Sequence, residues 1–432
     1  MLKYFEEHDE SLCCGCRSCE QVCPKQAITL QSNNEGFLYP VLMEALCVNC
    51  GLCEKACPMM NRPRGEQIKR VYAIQHKDEK ILKASSSGGA FRLLADEVIG
   101  SGGYVVGCIW NQYFQPVLHI AHSLEELPPM QGSKYLSSDT NTVYTQVKQL
   151  LEQDKKVLFT GTPCQNAGLL TYLRKPYKNL LTADFLCHGV PSQFIFDRYL
   201  DAIEEKHGIV NEIKKNEDGA LCPSENKIRG ITSYKFRDKE KRGWGLVSTY
   251  TWKHGEKGKK HCAVGMTDPY DYGFLNGYFN RYSCYMCPFR GENRFTDFTF
   301  CDYWGIEARH NIDAAKGVSA IVLNSDKAIA FFDKLKNNIN LSETTAERVA
   351  MENPTLTQMM SEEIPTKRKT IYRDIQNSGW NAVERTQLRC KHRTLKKIWY
   401  AMPQAVTSAM KKIGGKIIGY FVFIVSLFNS GI

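Results

Sequence analysis

Apolar and polar positions along the middle of the chain follow the pattern of strands that alternate with helices. Short apolar runs predict strands at residues 71–74, 104–110, 156–160 and 180–186. Apolar residues that recur every three to four positions predict helices at residues 91–99, 166–173 and 192–206. Because parallel strands are joined by helical crossovers, these consecutive strand–loop–helix units predict a sheet that contains parallel strands.

Composition divides the chain into three regions, and we predict an α+β fold for the whole. Residues 1–65 are dense in Cys and end in a Pro-rich joint, which predicts a small separate domain. Residues 70–324 carry the strand and helix signals of an α/β domain, and residues 325–432 are expected to be a helical region with a basic and apolar tail. A chain of 432 residues is long enough for two or three such units.

Eighteen cysteines, half of them within the first 57 residues, are more than packing requires. The N-terminus is acidic and lacks the apolar run of a secretory signal, so we expect the chain in the cytoplasm. Disulfides rarely persist in that compartment, and clustered cysteines there indicate metal binding.

The first region contains a duplicated run, Cys-x2-Cys-x2-Cys-x3-Cys-Pro, which starts at Cys13 and again at Cys47. Each copy resembles the bacterial ferredoxin run, in which the fourth Cys binds the other cluster. We therefore predict two 4Fe–4S clusters, one held by Cys13, Cys16, Cys19 and Cys57, the other by Cys23, Cys47, Cys50 and Cys53. Structural zinc is the alternative, although zinc favours two separated Cys-x2-Cys pairs. Cys14 is surplus to the pattern and is treated as a bystander.

Chemistry-bearing residues follow the predicted strands of the second region. Residues 85–89 (Ser-Ser-Ser-Gly-Gly) precede a helix, where free N–H groups suit a phosphate, although an ordinary N-cap explains them as well. Cys164 and Cys187 each follow a strand and precede a helix, where α/β sheets bind ligands. Cys284 and Cys287 add a Cys-x2-Cys pair, which alone is compatible with a redox pair, half a zinc site or coincidence.

Six motifs in this order resemble the beta subunit family of coenzyme F-420 hydrogenases and dehydrogenases, in which F-420 is a deazaflavin hydride carrier. The plant enzyme 7-hydroxymethyl chlorophyll a reductase is similar as well. The motifs are Ser85-Ser-Ser-Gly-Gly-Ala-Phe91, Gly132-Ser-Lys-Tyr135, Gly161-Thr-Pro-Cys-Gln165, Cys187-His-Gly189, Cys284-Tyr-Met-Cys287 and Asp302-Tyr-Trp-Gly305. This chain departs from relatives at Cys301, where they usually carry a Gly beside the Asp, and the polar residues 211–241 contain no motif.

The resemblance implies an FAD and a third cluster beside it. The third 4Fe–4S cluster would be held by Cys164, Cys187, Cys284 and Cys287, whereas the competing interpretation makes Cys164 or Cys187 a redox-active or catalytic thiol. Expected cofactor-binding residues are Ser86, Ser87, Gly88, Gly89, Lys134, Gly161 and Thr162. Candidate catalytic residues are His188, Lys134 and Asp302, for which a capped loop, an exposed turn and a backbone-bonding role are the alternatives.

The sequence thus predicts an iron–sulfur flavoprotein oxidoreductase that passes electrons between 4Fe–4S clusters and FAD, and on to an organic substrate or coenzyme that accepts or donates a hydride. The alternatives are a non-catalytic electron-transfer subunit that docks a partner enzyme, and a scaffold with structural clusters. The expected partner is a redox carrier such as a ferredoxin or deazaflavin.

Charge is concentrated near the C-terminus. Residues 366–416 carry 13 Lys+Arg against 2 Asp+Glu, whereas residues 1–365 are nearly neutral, which excludes a generally basic nucleic-acid-binding surface. The apolar run 417–428 spans about 18 Å as a helix and is too short to cross a hydrocarbon core of about 30 Å. We therefore expect peripheral contact with the inner face of a membrane, with a helix packed on the body as the alternative.

Overall fold

A computed structural model describes residues 2–209, 227–240, 242–254, 257–306, 312–357 and 363–390. Its strands are β1 (Ile28–Ser32), β2 (Leu38–Leu42), β3 (Arg70–His76), β4 (Tyr104–Trp110), β5 (Pro116–Ala121), β6 (Val157–Thr160), β7 (Leu180–Phe185), β8 (Ile231–Lys235), β9 (Val247–His254), β10 (Lys257–Val264), β11 (Phe298–Asp302), β12 (Ser319–Leu323) and β13 (Ile339–Thr344). Its helices are α1 (Lys3–Glu7), α2 (Ser18–Val22), α3 (Leu52–Lys55), α4 (Glu79–Ala84), α5 (Ala90–Gly100), α6 (Val143–Glu152), α7 (Pro163–Leu173), α8 (Gln193–His207), α9 (Pro269–Leu275), α10 (Asp326–Phe332), α11 (Ala346–Ala350), α12 (Ile371–Ser378) and α13 (Trp380–Gln387).

The largest sheet of the described chain has eight strands in the order β13-β3-β12-β11-β7-β6-β4-β5. Strands β11, β7, β6 and β4 are mutually parallel, and β3 points the same way because β12 lies antiparallel between β3 and β11. The carboxyl ends of these five strands therefore share one edge of the sheet. The predicted α+β class with a sheet containing parallel strands is confirmed.

Burial explains why the sequence forms these elements. Val157, Leu158 and Phe159 of β6 are fully buried, as expected for a strand covered on both faces. Helix α5 buries Leu94 and Val98 completely against the sheet, on the face that the apolar spacing predicted. Each such side chain contributes about 1.5–3 kcal/mol of hydrophobic stabilisation.

The N-terminal region is a small unit built on the antiparallel hairpin β1–β2 and the short helices α2 and α3. It is tightly attached to the body. Arg17 pairs with Asp139 at 2.5 and 2.8 Å, and Ser18 Oγ donates to the carbonyl oxygen of Gly168 at 3.2 Å. A Cβ on Gly168 would lie 2.8 Å from Tyr144 Oη and 3.0 Å from Cys16 Sγ, so α7 packs directly on the first cysteine loop.

The segment after residue 324 also belongs to this body as far as it is described. Strand β13 pairs antiparallel with β3 and forms one edge of the large sheet, so the sheet extends beyond the predicted end of the α/β domain. Arg368, fully buried, pairs with Glu35 of the N-terminal unit at 2.8 and 2.5 Å. Helices α12 and α13 contribute Tyr372 and Trp380 to the same core as α8.

A second sheet of three antiparallel strands, β10-β9-β8, stands beside the body. No helix in the described ranges is long and apolar enough to cross a membrane. Most of the predicted basic and apolar tail, from residue 391 onward, lies outside the described residues, as does the polar stretch 210–226.

Candidate functional site

The cysteines of the duplicated run divide between two cavities. The first is lined by one predicted ligand set, Cys13, Cys16, Cys19 and Cys57, with Cys14 beside them. The second, of about 140 Å³, is lined by the other set, Cys23, Cys47, Cys50 and Cys53. Each cavity therefore contains the first three Cys of one run and the fourth Cys of the other run. This is the crossed grouping that the ferredoxin-like spacing implies.

Burial raises the pKa of thiols around the first cavity. It raises the pKa of Cys19 well above the usual value, and the neighbouring Cys13 and Cys57 raise it further. Burial likewise raises the pKa of Cys57, with Cys13 and Cys53 as electrostatic neighbours. Thiols with a raised pKa stay protonated unless a metal ion replaces the proton. A bound metal therefore stabilises the thiolate form of these side chains.

The arrangement does not suit a single metal ion. Across the described ranges, no three His, Cys, Asp or Glu side chains converge closely enough to hold one ion. Ligands of a cubic cluster bind separate iron atoms and lie farther apart than the four ligands of one zinc ion. Thiols spread around a cavity, rather than drawn to one point, therefore fit an iron–sulfur cluster better than zinc.

A third group of cysteines lies at the carboxyl edge of the parallel strands. Cys164 is the second residue of α7, directly after β6, and Cys187 comes two residues after β7, the parallel neighbour of β6. Cys284 ends a short 3-10 turn, and Cys287 follows it. These four residues come from three separate parts of the chain.

The four thiols of this third group are electrostatic neighbours. Burial raises the pKa of Cys284 above its usual range, and Cys187, Cys287 and Cys164 raise it further. Burial also raises the pKa of Cys187 to about 12. Four cysteine thiols in one neighbourhood are a soft donor set of the kind that an iron–sulfur cluster requires, so the residues present fit the predicted third cluster.

Cys14 connects the first and third groups. Its thiol interacts with Cys16 of the first group and with Cys164 of the third, and both neighbours affect the pKa of Cys14. The interpretation of Cys14 as a bystander rested on spacing alone, which contains no information about a contact 150 residues away. A position between two predicted ligand sets is visible only in the folded chain.

His188 lies beside the third group and retains solvent access. Its Nε2 is 3.1 Å from the carbonyl oxygen of Leu275, and its ring packs edge-on against Phe274. Desolvation and the positive charge of Arg290 lower the pKa of His188, so the ring is neutral at pH 7 and its Nε2–H can donate to that carbonyl.

The Ser/Gly loop before α5 is held mainly by the sheet. Ser87 Oγ donates to Val318 O at 2.6 Å, and the N–H of Gly88 donates to Ser319 Oγ at 2.8 Å. A Cβ on Gly88 would overlap the backbone of β3 and β12, and one on Gly89 would lie 2.9 Å from His76 Cβ. Close packing therefore accounts for both glycines. Ser86 Oγ binds the N–H and the hydroxyl of Ser133 at 2.7 and 2.9 Å.

Two cations that sequence reasoning missed reach this loop from the segment after β8. Arg237 donates to the backbone oxygen of Ser86 at 3.3 Å and forms a two-point ion pair with Asp302. Lys239 donates to the carbonyl oxygens of Leu82 and Ser87 at 2.9 and 2.5 Å. Burial and the charge of Arg237 lower the pKa of Lys239 to about 7. Both residues lie in the stretch without a motif, so no sequence signal indicated them.

The remaining predicted residues have structural partners. Lys134 Nζ donates to the carbonyl oxygens of Pro129 and Gly132 at 3.1 and 3.3 Å, and burial lowers its pKa. Thr162 caps α7, because its Oγ1 accepts from the N–H of Gln165, and the same oxygen is 3.1 Å from Cys164 Sγ. Gly161 leaves room for the side chain of Gln165, which a Cβ would approach to 3.0 Å.

The argument that these residues can bind FAD depends on Lys134 and Lys239, and not on Gly88 and Gly89. Neither Lys134 nor Lys239 has an ion pair with a carboxylate among the described residues; both ammonium groups contact backbone oxygens instead. Lys239 contacts the Ser87 oxygen, and Lys134 follows Ser133, which binds Ser86. Together they supply the positive charge and donors that a pyrophosphate requires. The residues present therefore fit the phosphate portion of FAD.

Comparisons with known proteins match two regions of the chain. Residues 12–61 match the 4Fe-4S dicluster domain, and residues 154–348 match the family described as the C terminus of the coenzyme F420 hydrogenase/dehydrogenase beta subunit. Among solved structures, the chain is similar to a chain of the xenon-derivatised F420-reducing [NiFe] hydrogenase complex from Methanosarcina barkeri, with 15% identity, a TM-score of 0.40, and coverage of 74% of this chain and 92% of that chain. No curated protein matches.

The N-terminal match makes the chain an iron–sulfur protein with a 4Fe–4S cluster domain, of the electron-transfer type. Residues 154–348 carry the match to the C-terminal domain of the beta subunit of coenzyme F420 hydrogenases and dehydrogenases, which are oxidoreductases. The family that the six motifs predicted is thereby confirmed.

Proposed function

We propose that this chain is an iron–sulfur flavoprotein oxidoreductase with two N-terminal 4Fe–4S clusters, a third 4Fe–4S cluster and an FAD. It passes electrons between the clusters and the flavin, and on to an organic substrate or coenzyme that accepts or donates a hydride. A flavin exchanges single electrons with clusters and a hydride with a substrate, which makes it the junction of such a chain.

The contiguity of the three cysteine groups is the observation that carries this proposal. Cys53 of the second group is an electrostatic neighbour of Cys57 in the first. Cys14 then contacts Cys16 of the first group and Cys164 of the third. The three groups therefore follow one another without a gap. They lead from the second cavity, where Cys50 is exposed, through the first cavity to the carboxyl edge of the parallel strands.

The flavin-binding roles fall to the residues around the Ser/Gly loop. Lys134 and Lys239 would hold the phosphates, with Ser86 and Ser87 beside them. The pairing with Asp302 fixes Arg237 across the end of β11, which adjoins β7 and hence Cys187. Asp302 thus acts as a positioning residue in this proposal, rather than as the catalytic residue that was one sequence-based expectation.

Two side chains in this region can hold or release a proton. Lys239 Nζ has a pKa of about 7, so both of its protonation states are populated near neutral pH. His188 is neutral at pH 7 and partly exposed, so its ring is available to a substrate at the edge of the sheet. We assign the proton transfer that accompanies hydride exchange to His188, because Lys239 is assigned to the phosphates.

Iron, sulfide and flavin analysis of anaerobically purified full-length protein tests the proposal. We expect roughly twelve iron atoms and one FAD per chain. The Cys284→Ser/Cys287→Ser double variant should hold roughly eight iron atoms. Equal iron in both proteins would reject the third cluster, and the absence of FAD would reject the flavoprotein.

Turnover measurements separate the enzyme from its alternatives. Reduced protein that converts an acceptor by itself is an enzyme, whereas strict dependence on a co-purified partner identifies a subunit that only transfers electrons. A scaffold would be identified by clusters that do not change oxidation state. The family consists of hydrogenase and dehydrogenase subunits, so we propose a redox partner, either a protein or a deazaflavin carrier.

For location, we propose a cytoplasmic protein whose basic residues between 366 and 416, apart from the buried Arg368, contact anionic lipid. Each Lys or Arg near such a surface contributes about 1 kcal/mol. Full-length protein should sediment with anionic vesicles, and a truncation after Cys390, which keeps α12 and α13, should sediment less. Equal sedimentation would reject the membrane contact.

A further inference from the structure

Six arginines are buried in the described part of the chain. Four of them form ion pairs: Arg229 with Asp197, Asp201 and Glu204, Arg237 with Asp302, Arg294 with Asp184, and Arg368 with Glu35. The other two, Arg281 and Arg290, have no carboxylate partner within the described ranges. Burying a charge without a counter-charge is strongly unfavourable, so a negative group is expected next to both.

Arg290 is the more exceptional of the two. It is 4% exposed, and its Nε and Nη1 atoms are buried without a hydrogen-bond partner in the described structure. Its charge acts on Cys187, His188 and Cys287, which places the guanidinium beside the third cysteine group. Two unused donors and one unbalanced charge therefore lie beside Cys187 and Cys287 of the third group.

Arg281 lies between the first and third groups. It is 1% exposed, its Nε donates to Cys13 O at 2.7 Å, and its Nη2 donates to Leu38 O at 2.8 Å. The guanidinium stacks on the ring of Tyr39 at 3.9 Å. Its electrostatic neighbours include Cys13 of the first group and Cys284 of the third.

We propose that Arg290 and Arg281 are the counter-charges of an anionic iron–sulfur cluster in the third cysteine group, and that they raise its reduction potential. The inference rests on the proposed function, because it requires the third cluster. A cluster with four thiolate ligands is negative and gains another negative charge on reduction, so a nearby cation stabilises the reduced state. Arg281 lies between the first and third groups, whereas Arg290 adjoins the third group alone. The third cluster therefore has the additional positive charge, which raises its potential and favours electron transfer from the N-terminal clusters toward it.

The direct test is a redox titration of full-length protein, monitored by the electron paramagnetic resonance signals of its clusters. Arg290→Gln should lower the midpoint potential of the third cluster and leave that of the Cys23/Cys47/Cys50/Cys53 cluster unchanged. Arg290→Lys keeps the charge and should retain most of the parent potential. Arg281→Gln should lower the potentials of the first and third clusters together.

Arg229→Gln is the matched control, because Arg229 is equally buried but belongs to the carboxylate cluster on α8. It should reduce stability without moving any cluster potential. An unchanged third potential in Arg290→Gln, with twelve iron atoms retained, would overturn the inference.

A stability comparison keeps the inference testable if Arg290→Gln fails to assemble. In the Cys284→Ser/Cys287→Ser background the cluster is gone, so Arg290→Met removes an unbalanced buried charge and should raise the melting temperature. In the cluster-loaded parent the same substitution should lower it. An equal or lower melting temperature in the cluster-free background would contradict the counter-charge role. Iron content of the double variant reports separately on the third cluster, so the two proposals fail in distinguishable ways.

Discussion

Arg237 and Asp302 form a two-point ion pair, with the two N–O distances at 2.6 and 3.1 Å. Asp302 also accepts from Trp244 Nε1 at 3.2 Å, and the rings of Trp244 and Trp304 stack at 4.4 Å. The pair joins the end of β11 to the segment after β8 and holds a buried guanidinium against the Ser/Gly loop. This ion pair explains how the segment after β8, which contains no sequence motif, becomes part of the candidate site.

Asp302→Asn should therefore destabilise the protein by about 3 kcal/mol, because it leaves the buried guanidinium of Arg237 without a counter-charge. Denaturant unfolding measures the loss. The control is Glu79→Gln, which breaks the exposed pair with Lys316 and should cost less than about 1 kcal/mol. Equal losses in the two variants would contradict the role of Asp302 as the partner of a buried charge.

FAD binding should depend on pH through Lys239. Its pKa is about 7 without ligand, and an anion binds best to the ammonium form. Affinity should thus be highest below pH 7 and should fall as the pH rises above 7, by at most about tenfold per pH unit. Flavin fluorescence titrations at about pH 6 and about pH 9 measure the change.

Lys239→Met should bind FAD more weakly and lose this pH dependence. Lys155→Met, at an exposed position before β6, should keep the parent profile. A parent affinity that stays constant across this pH range would show that Lys239 does not contact the anion.

Cys14 and Cys16 should respond differently to substitution, although both line the first cavity. Cys16→Ser removes a predicted ligand and should lower the iron content by roughly four atoms per chain. Cys14→Ser should keep the iron content of the parent, because Cys14 lies between two ligand sets and belongs to neither. Equal iron loss in both variants would make Cys14 a ligand.

Gly168→Ala should loosen the contact between α7 and the N-terminal unit. The added methyl would lie 3.0 Å from Cys16 Sγ and 2.8 Å from Tyr144 Oη, so we expect a loss of about 1–3 kcal/mol and a changed visible spectrum of the N-terminal clusters. Gly100→Ala is the control, since nothing lies within 4 Å of its Cβ position, and it should stabilise α5 by up to about 1 kcal/mol. An unchanged spectrum in Gly168→Ala would mean that this contact does not position the clusters.

The spacing of residues along the chain was sufficient to predict those features whose residues are neighbours in sequence. The apolar runs predicted β3, β4, β6 and β7, because a strand covered on both faces must be continuously apolar. The duplicated cysteine run indicated a two-cluster domain, because its spacing follows from the geometry of the cluster itself. The ordered motifs identified the family.

Only the tertiary structure decided which distant residues meet. Gly88 and Gly89 predicted a phosphate-binding loop. Close packing against β3 and β12 explains the missing side chain of Gly88, and a φ of +90° with close packing against β3 explains that of Gly89. The cations of that loop, Arg237 and Lys239, come from a stretch of no recognisable pattern. Arg290 lacks a carboxylate partner in the described part of the chain, which no sequence pattern reveals because pairing depends on every element packed around it. Arg368 and Glu35 are 333 residues apart, and burial of both charges in one contact is a property of the folded chain alone.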